Sequence, residues 1–181
     1  TLLPIFARHS QDLLTVHART VTQGYGLPVH YDLIRRAAEM MPCPVLANGH
    51  IYSADQALAV LARTKARGLM IGRGAIRNPW LFSQIRQRLR GEPVMYPTGR
   101  DVLAYIEALW ATNDTNGVSE KLQAQWMKRF TNYIGEGLGA HAGRFLYAIR
   151  RAETRAEFFR VCREHLDHDD ALKLEPSETG P

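Results

Sequence analysis

The sequence predicts an α/β stretch followed by an all-α stretch. Short apolar runs alternate with helical patterns three times, at a spacing of about 25 residues, which implies parallel strands joined by right-handed helical crossovers. Each run ends in a polar or glycine-bearing tripeptide, where a strand gives way to a loop. Beyond Arg100 the strand pattern stops and only helical periodicity remains.

Taken in order, residues 3 to 10 read as the end of a helix, and Asp12-Leu13-Leu14-Thr15-Val16-His17 as a short strand. Ala18-Arg19-Thr20 then leads into a glycine-punctuated surface loop, Gln23-Gly24-Tyr25-Gly26-Leu27-Pro28. From Asp32 to Met41, apolar or small residues at Leu33, Ile34, Ala37, Ala38 and Met41 recur at helical spacing until Pro42 ends the helix. The second strand, Pro44-Val45-Leu46-Ala47, stops at Asn48-Gly49-His50. Ser53 is the expected N-cap of a helix through Ala54, Ala57, Leu58, Val60 and Leu61, which ends before Gly68. Leu69-Met70-Ile71 is the third strand, Gly72-Arg73-Gly74 a glycine turn, and Asn78-Pro79-Trp80 the opening of a basic helix through Arg90. Gly91-Glu92-Pro93 and Tyr96-Pro97-Thr98-Gly99 form a connector. Helices follow at about 101 to 113, 119 to 136, 139 to 151 and 154 to 166, with breaks at Gly117, Gly137 and Gly139.

Composition narrows the function classes. The 45% apolar and 23% charged residues belong to a folded globular protein rather than a disordered one. No apolar run reaches the roughly 18 residues of a membrane span. Leu2-Leu3-Pro4-Ile5-Phe6 is too short and too broken for a signal peptide, so a reducing cytoplasm is the expected setting. The chain begins with Thr1 rather than Met, as a piece of a longer protein would. Cys43 and Cys162 share no metal spacing, so neither a zinc site nor a disulfide framework is expected, and no metal is assigned.

The net charge of +5, with a pI near 9.5, is compatible with a nucleic-acid partner and also with an ordinary enzyme. Arg77, Arg86, Arg88, Arg90 and Arg100 face a single Glu92 in their segment, and Lys121 to Arg163 adds Lys128, Arg129, Arg144, Arg160 and Arg163 together with Arg150, Arg151 and Arg155. The last three read individually as a solvated helix face. Trp126, Phe130 and Tyr133 read as core by their helical spacing. Acids gather from Asp167 to Glu178, which reads as a solvated end.

Ligands of parallel α/β folds bind at the carboxyl ends of the strands, where loops converge. That rule selects His17-Ala18-Arg19, Asn48-Gly49-His50 and Gly72-Arg73. Glycine-freed backbone N–H groups and the planar Arg73 guanidinium suit a phosphate. The same residues also admit a plain turn at Asn48-Gly49 and a satisfied interior histidine at His17.

Three segments then carry a resemblance. Val16-His17-Ala18-Arg19-Thr20, Pro44-Val45-Leu46-Ala47-Asn48-Gly49-His50-Ile51 and Met70-Ile71-Gly72-Arg73-Gly74-Ala75-Ile76-Arg77-Asn78-Pro79-Trp80-Leu81-Phe82 resemble, in that order, the second half of the tRNA-dihydrouridine synthase barrel. Met127-Lys128-Arg129-Phe130-Thr131-Asn132-Tyr133 and Arg144 to Arg151 resemble that family's carboxy-terminal RNA-binding helices. The resemblance implies the late part of a TIM (β/α)8 barrel, three strand–helix units over residues 1–95. A helical tRNA-binding domain over 100–166 and a flexible acidic tail over 167–181 would follow.

It further implies an oxidoreductase that uses FMN and NADPH to reduce uridine to dihydrouridine in tRNA, monomeric when full length. His17, Asn48, Gly49, His50, Gly72 and Arg73 would hold the cofactor, and Arg19, Lys128 and Arg129 would meet tRNA. The family's proton-donor cysteine belongs to the first half of the barrel, so no catalytic residue is assigned in this chain. This sequence has His50 where the family usually has Asp, and Ala18 where it has Gly. Two other readings remain: an FMN-dependent barrel oxidoreductase acting on a small molecule, against which the basic helices argue, and a non-catalytic RNA-binding fragment.

Overall fold

A computed structural model of the 181-residue chain describes residues 2–23, 27–113 and 117–176. The expected loop at Gly24-Tyr25-Gly26 and the end of the acidic tail lie outside the described residues. The chain divides into two compact units. One holds the described residues up to Ala75 together with Leu81–Pro93; the other holds Ile76–Trp80 together with the described residues from Val94 on.

In the first unit, a short helix α1 (Leu3–Phe6) precedes β1 (Leu14–His17), α2 (Tyr31–Met40), β2 (Val45–Asn48), α3 (Ala54–Thr64) and β3 (Gly68–Met70). The three strands form one parallel sheet in the order β1-β2-β3, with Leu14 opposite Val45, His17 opposite Asn48, and Asn48 opposite Met70. That register brings the carboxyl ends of all three strands level. The alternation of parallel strands and helices is compatible with part of a barrel. Ile34 and Ala37 of α2 and Ala57 and Val60 of α3 are buried with Val45 and Ala47 of β2, so each helix lays its apolar stripe on the sheet. Ser53 caps α3 as expected, its hydroxyl accepting from Gln56 N, and Lys65 ends the helix in the left-handed region.

The stretch after β3 departs from expectation. Gly72-Arg73-Gly74 is not a free glycine turn, because Arg73 opens a five-residue helix, α4 (Arg73–Arg77). Gly74 is needed there, since a Cβ on it would stand 2.1 Å from the Ile51 carbonyl oxygen. After the Asn78-Pro79-Trp80 break, α5 (Leu81–Leu89) returns to the first unit and buries Leu81 and Ile85.

The second unit contains α6 (Gly99–Thr112), α7 (Glu120–Glu136), α8 (Ala142–Ile149) and α9 (Arg155–Leu166), in the order and places the periodicity predicts. Their inward faces form a separate core around Trp110, Met127, Ile134, Phe145, Phe158 and Leu166. Thr98 and Thr154 each make a full capping box, with Asp101 and Glu157 respectively.

Two sequence expectations need correction here. The segment following α9 is docked rather than loose as far as residue 176. Leu174 is fully buried, Leu172 N donates to the Pro97 carbonyl, and Asp167 and Asp169 both pair with Arg100. The acids are therefore spent in part on an arginine that the charge pattern assigned to a basic surface. Arg77 is likewise not a surface cation. It is 5% exposed, donates from Nε to the Tyr133 carbonyl and pairs with Glu136. A buried guanidinium needs such partners because desolvation of a bare charge is prohibitive.

Candidate functional site

The three tripeptides selected by the strand-end rule come together in the first unit. His17 ends β1 and Asn48 ends β2, paired in register, while Arg73 follows β3 by three residues. Gly49 carries the turn after β2 at φ 122°, a conformation that strongly favours glycine. A side chain on Gly49 would strike Val29 Cγ2 at 2.8 Å and His17 Cδ2 at 3.3 Å, so the turn presses against the His17 ring.

Hydrogen bonds fix the rest. Asn48 Nδ2 donates to the Met70 carbonyl at 2.7 Å, tying β2 to β3. Tyr31, the first residue of α2, donates its hydroxyl to the Gly49 carbonyl at 2.9 Å. Nothing in the sequence pattern marked Tyr31, because its role depends on α2 starting beside a turn 18 residues later. Arg19 Nη2 donates to the Leu27 carbonyl and lies 2.5 Å from His50 Nε2 and 3.1 Å from Nδ1. His50 itself has φ 51°, unusual for a non-glycine residue.

The electrostatics are those of an anion site. Desolvation of part of the ring, then the charges of Arg19 and Arg73, hold the imidazole of His17, an exposed residue, below its ordinary pKa of 6.5, which favours the neutral ring at pH 7. Two guanidinium groups are thus felt at one strand end. Arg19 Nε and Nη1 are buried without a hydrogen-bond partner among the described residues, and such orphaned donors call for an acceptor. The space where a Cβ would stand on Gly72 is open, with no atom within 4 Å. These features fit a phosphate-bearing cofactor.

The Asn48 side-chain amide bonds the Met70 carbonyl and the His50 ring contacts Arg19, so what this turn has to offer a ligand is chiefly its backbone. Lys128 and Arg129 lie on α7 in the second unit, Lys128 half-buried and Arg129 exposed. Beside them Phe130 packs on the core, while Trp126 and Tyr133 are half-buried. Cys162 is fully buried, and burial pushes its thiol up to about 12; Cys43 is half-buried just before β2, at the far end of the strands. Among the described residues, no cluster of His, Cys, Asp or Glu is arranged for a metal, and no helix is long and apolar enough to cross a membrane.

Comparison with known proteins identifies relatives of this chain. The chain is 41% identical over 90 residues to a probable tRNA-dihydrouridine synthase of Rickettsia prowazekii, covering 50% of this chain and 28% of that one. It is 30% identical over 127 residues to the tRNA-dihydrouridine(16) synthase of Neisseria meningitidis serogroup B, covering 70% and 38%. With the tRNA-dihydrouridine(16) synthase of Pseudomonas syringae pv. tomato the identity is 35% over 97 residues, covering 54% and 31%. The chain therefore spans about a third of the length of the curated relatives it matches. The family model for dihydrouridine synthase (Dus) matches residues 7–168, nearly the whole chain. With the motifs at all three strand ends inside that match, the chain belongs to the dihydrouridine synthase family.

Proposed function

We propose that this chain is the flavin-holding and RNA-facing part of a tRNA-dihydrouridine synthase that reduces uridine in tRNA with FMN and NADPH. The observation that carries the reading is the convergence of His17, Arg19, the Asn48-Gly49-His50 turn and Arg73 at three adjacent parallel strand ends, with two orphaned guanidinium donors among them. FMN held by His17, the Asn48-Gly49-His50 turn, Gly72 and Arg73 would supply the hydride chemistry between NADPH and the C5–C6 double bond of the uracil.

The residues of this chain bind and orient. Arg73 offers a planar fork to phosphate oxygens, and the open backbone at Gly72 admits close approach of a phosphate. Gly49 serves by letting the turn press against His17. Neutral His17 has one nitrogen to donate and one to accept, so it orients a ring or ribityl group without adding charge. Lys128 and Arg129 meet the RNA, Arg19 offers its open donors to a phosphate at the strand ends, of the RNA or of the cofactor, and α6–α9 act as a helical tRNA-binding domain following the late part of a TIM barrel. Family membership implies that the proton completing reduction comes from a cysteine in the first half of the barrel; Cys162, whose thiol burial pushes up to about 12, and Cys43, just before β2 at the other end of the strands, do not take that role. The chain alone is accordingly expected to be inactive, and the setting we infer is the cytoplasm.

The full-length protein tests the reading. It is expected to purify with a yellow FMN spectrum and to oxidise NADPH only when unmodified tRNA is supplied. A flavin reoxidised by a small molecule but indifferent to tRNA would overturn the proposal in favour of a small-molecule oxidoreductase.

A further inference from the structure

His50 stands in the strand-end turn at φ 51°, and its ring is held between Tyr52, 5.9 Å away centre to centre, and the guanidinium of Arg19. A guanidinium only donates, so the closer ring nitrogen, Nε2, is the acceptor in the contact with Arg19 Nη2. A carboxylate in this place would fix Arg19 equally well and would cancel its charge; a neutral imidazole fixes the side chain and leaves the charge available. Tyr31 secures the other side of the turn through the Gly49 carbonyl. The left-handed backbone at a non-glycine residue is a strain maintained by these contacts, and it sets the imidazole against Arg19.

We propose that His50 is a positioning residue that acts through Arg19, holding an un-neutralised guanidinium at the strand ends for a phosphate ligand, rather than a ligand of that phosphate itself. The inference rests on the reading of the strand ends as a phosphate site. It assigns His50 a role apart from that of Arg73.

Riboflavin lacks the phosphate of FMN, so the ratio of the two dissociation constants in the full-length protein isolates the phosphate grip from the rest of the flavin. Flavin fluorescence titration reads both constants without turnover. His50→Ala should weaken FMN binding about tenfold, the size of a lost charge-assisted hydrogen bond, and leave riboflavin unchanged. His50→Gln, a neutral acceptor, should restore most of the loss. In an Arg19→Gln background His50→Ala should cost nothing more, because the residue it positions is gone. If the phosphate belongs to RNA instead, the same pattern should appear in tRNA affinity with the flavin ratio unmoved.

Either pattern supports the positioning role. Unchanged affinity for both FMN and tRNA in His50→Ala overturns it, as does an equal loss of riboflavin binding or an additive loss in the Arg19→Gln background. If His50→Ala fails to fold, His50→Gln against Arg19→Gln decides: retained affinity in the first with loss in the second supports the role, and equal loss in both overturns it. Arg73→Ala separates the phosphate site from the role of His50. If it also leaves the FMN-to-riboflavin ratio unmoved, the phosphate site itself is wrong; if it collapses the ratio while His50→Ala leaves both ligands untouched, only the role of His50 falls.

Discussion

At the scale of single residues, His17 is the most informative reporter. Burial and the charges of Arg19 and Arg73 depress its pKa, so its NMR titration is expected below pH 6.5 in the ligand-free protein. A phosphate placed among these cations should move the midpoint upward, and a midpoint indifferent to FMN would remove His17 from the phosphate's neighbourhood. The sign for stability follows from the same shift. The unfolded chain takes up its proton first as pH falls through 6.5, so acidification there destabilises the fold slightly, by little because the residue is exposed. The cysteines give a second expectation at this scale. In the native protein a thiol reagent should modify Cys43 and leave Cys162, whose thiol burial pushes up to about 12; two equivalents reacting at equal rates would contradict the burial of Cys162.

At the scale of elements, caps and close approaches decide what the helices can do. Asp101 and Glu157 are held below their ordinary carboxylate range by backbone hydrogen bonds, from Thr98 in one case and from Glu153 and Thr154 in the other. A depressed carboxylate stabilises above its unfolded pKa and loses that contribution as pH falls through about 4, so these helix starts should loosen in acid. Thr154→Ala should cost about 1 kcal/mol of stability, read by thermal or denaturant melting, and should flatten part of that acid slope. Gly74→Ala should be costlier, about 1–3 kcal/mol or more, because its methyl would meet backbone at Ile51 rather than a movable side chain. Retention of full stability in Gly74→Ala would show that α4 can slide away from the β2 turn. The N-cap at Ser53 was legible in the sequence because a cap is a local bond three residues long. The helix beginning at Arg73 was not, since glycine flanks on both sides read as turn and the close approach that demands Gly74 comes from a segment more than 20 residues earlier.

At the scale of the whole molecule, sheet order and surface charge govern behaviour. The sheet has β1 and β3 at its edges without a further strand among the described residues, and Leu13, Val21 and Met70 are exposed near them. The chain expressed alone should therefore associate, visible as early elution in size exclusion, and a monodisperse monomer would show that these edges are covered in some other way. Changing Lys128 and Arg129 together to Ala in the full-length protein should weaken tRNA binding and lower the slope of affinity against salt by about 1 for each phosphate no longer neutralised. Unaltered binding across salt concentrations would take α7 out of the interface. The sequence by itself determined the alternation of strand and helix, the all-helical second part and the three strand-end tripeptides, because each is written in local periodicity or turn chemistry. Only the tertiary structure decided which polar side chains hold one another. Arg77 is buried against Glu136, Arg100 is spent on Asp167 and Asp169, Asn48 is committed to Met70, and His50 is set against Arg19. Those pairings join residues 22 to 69 positions apart, and no local pattern records a partner at that distance.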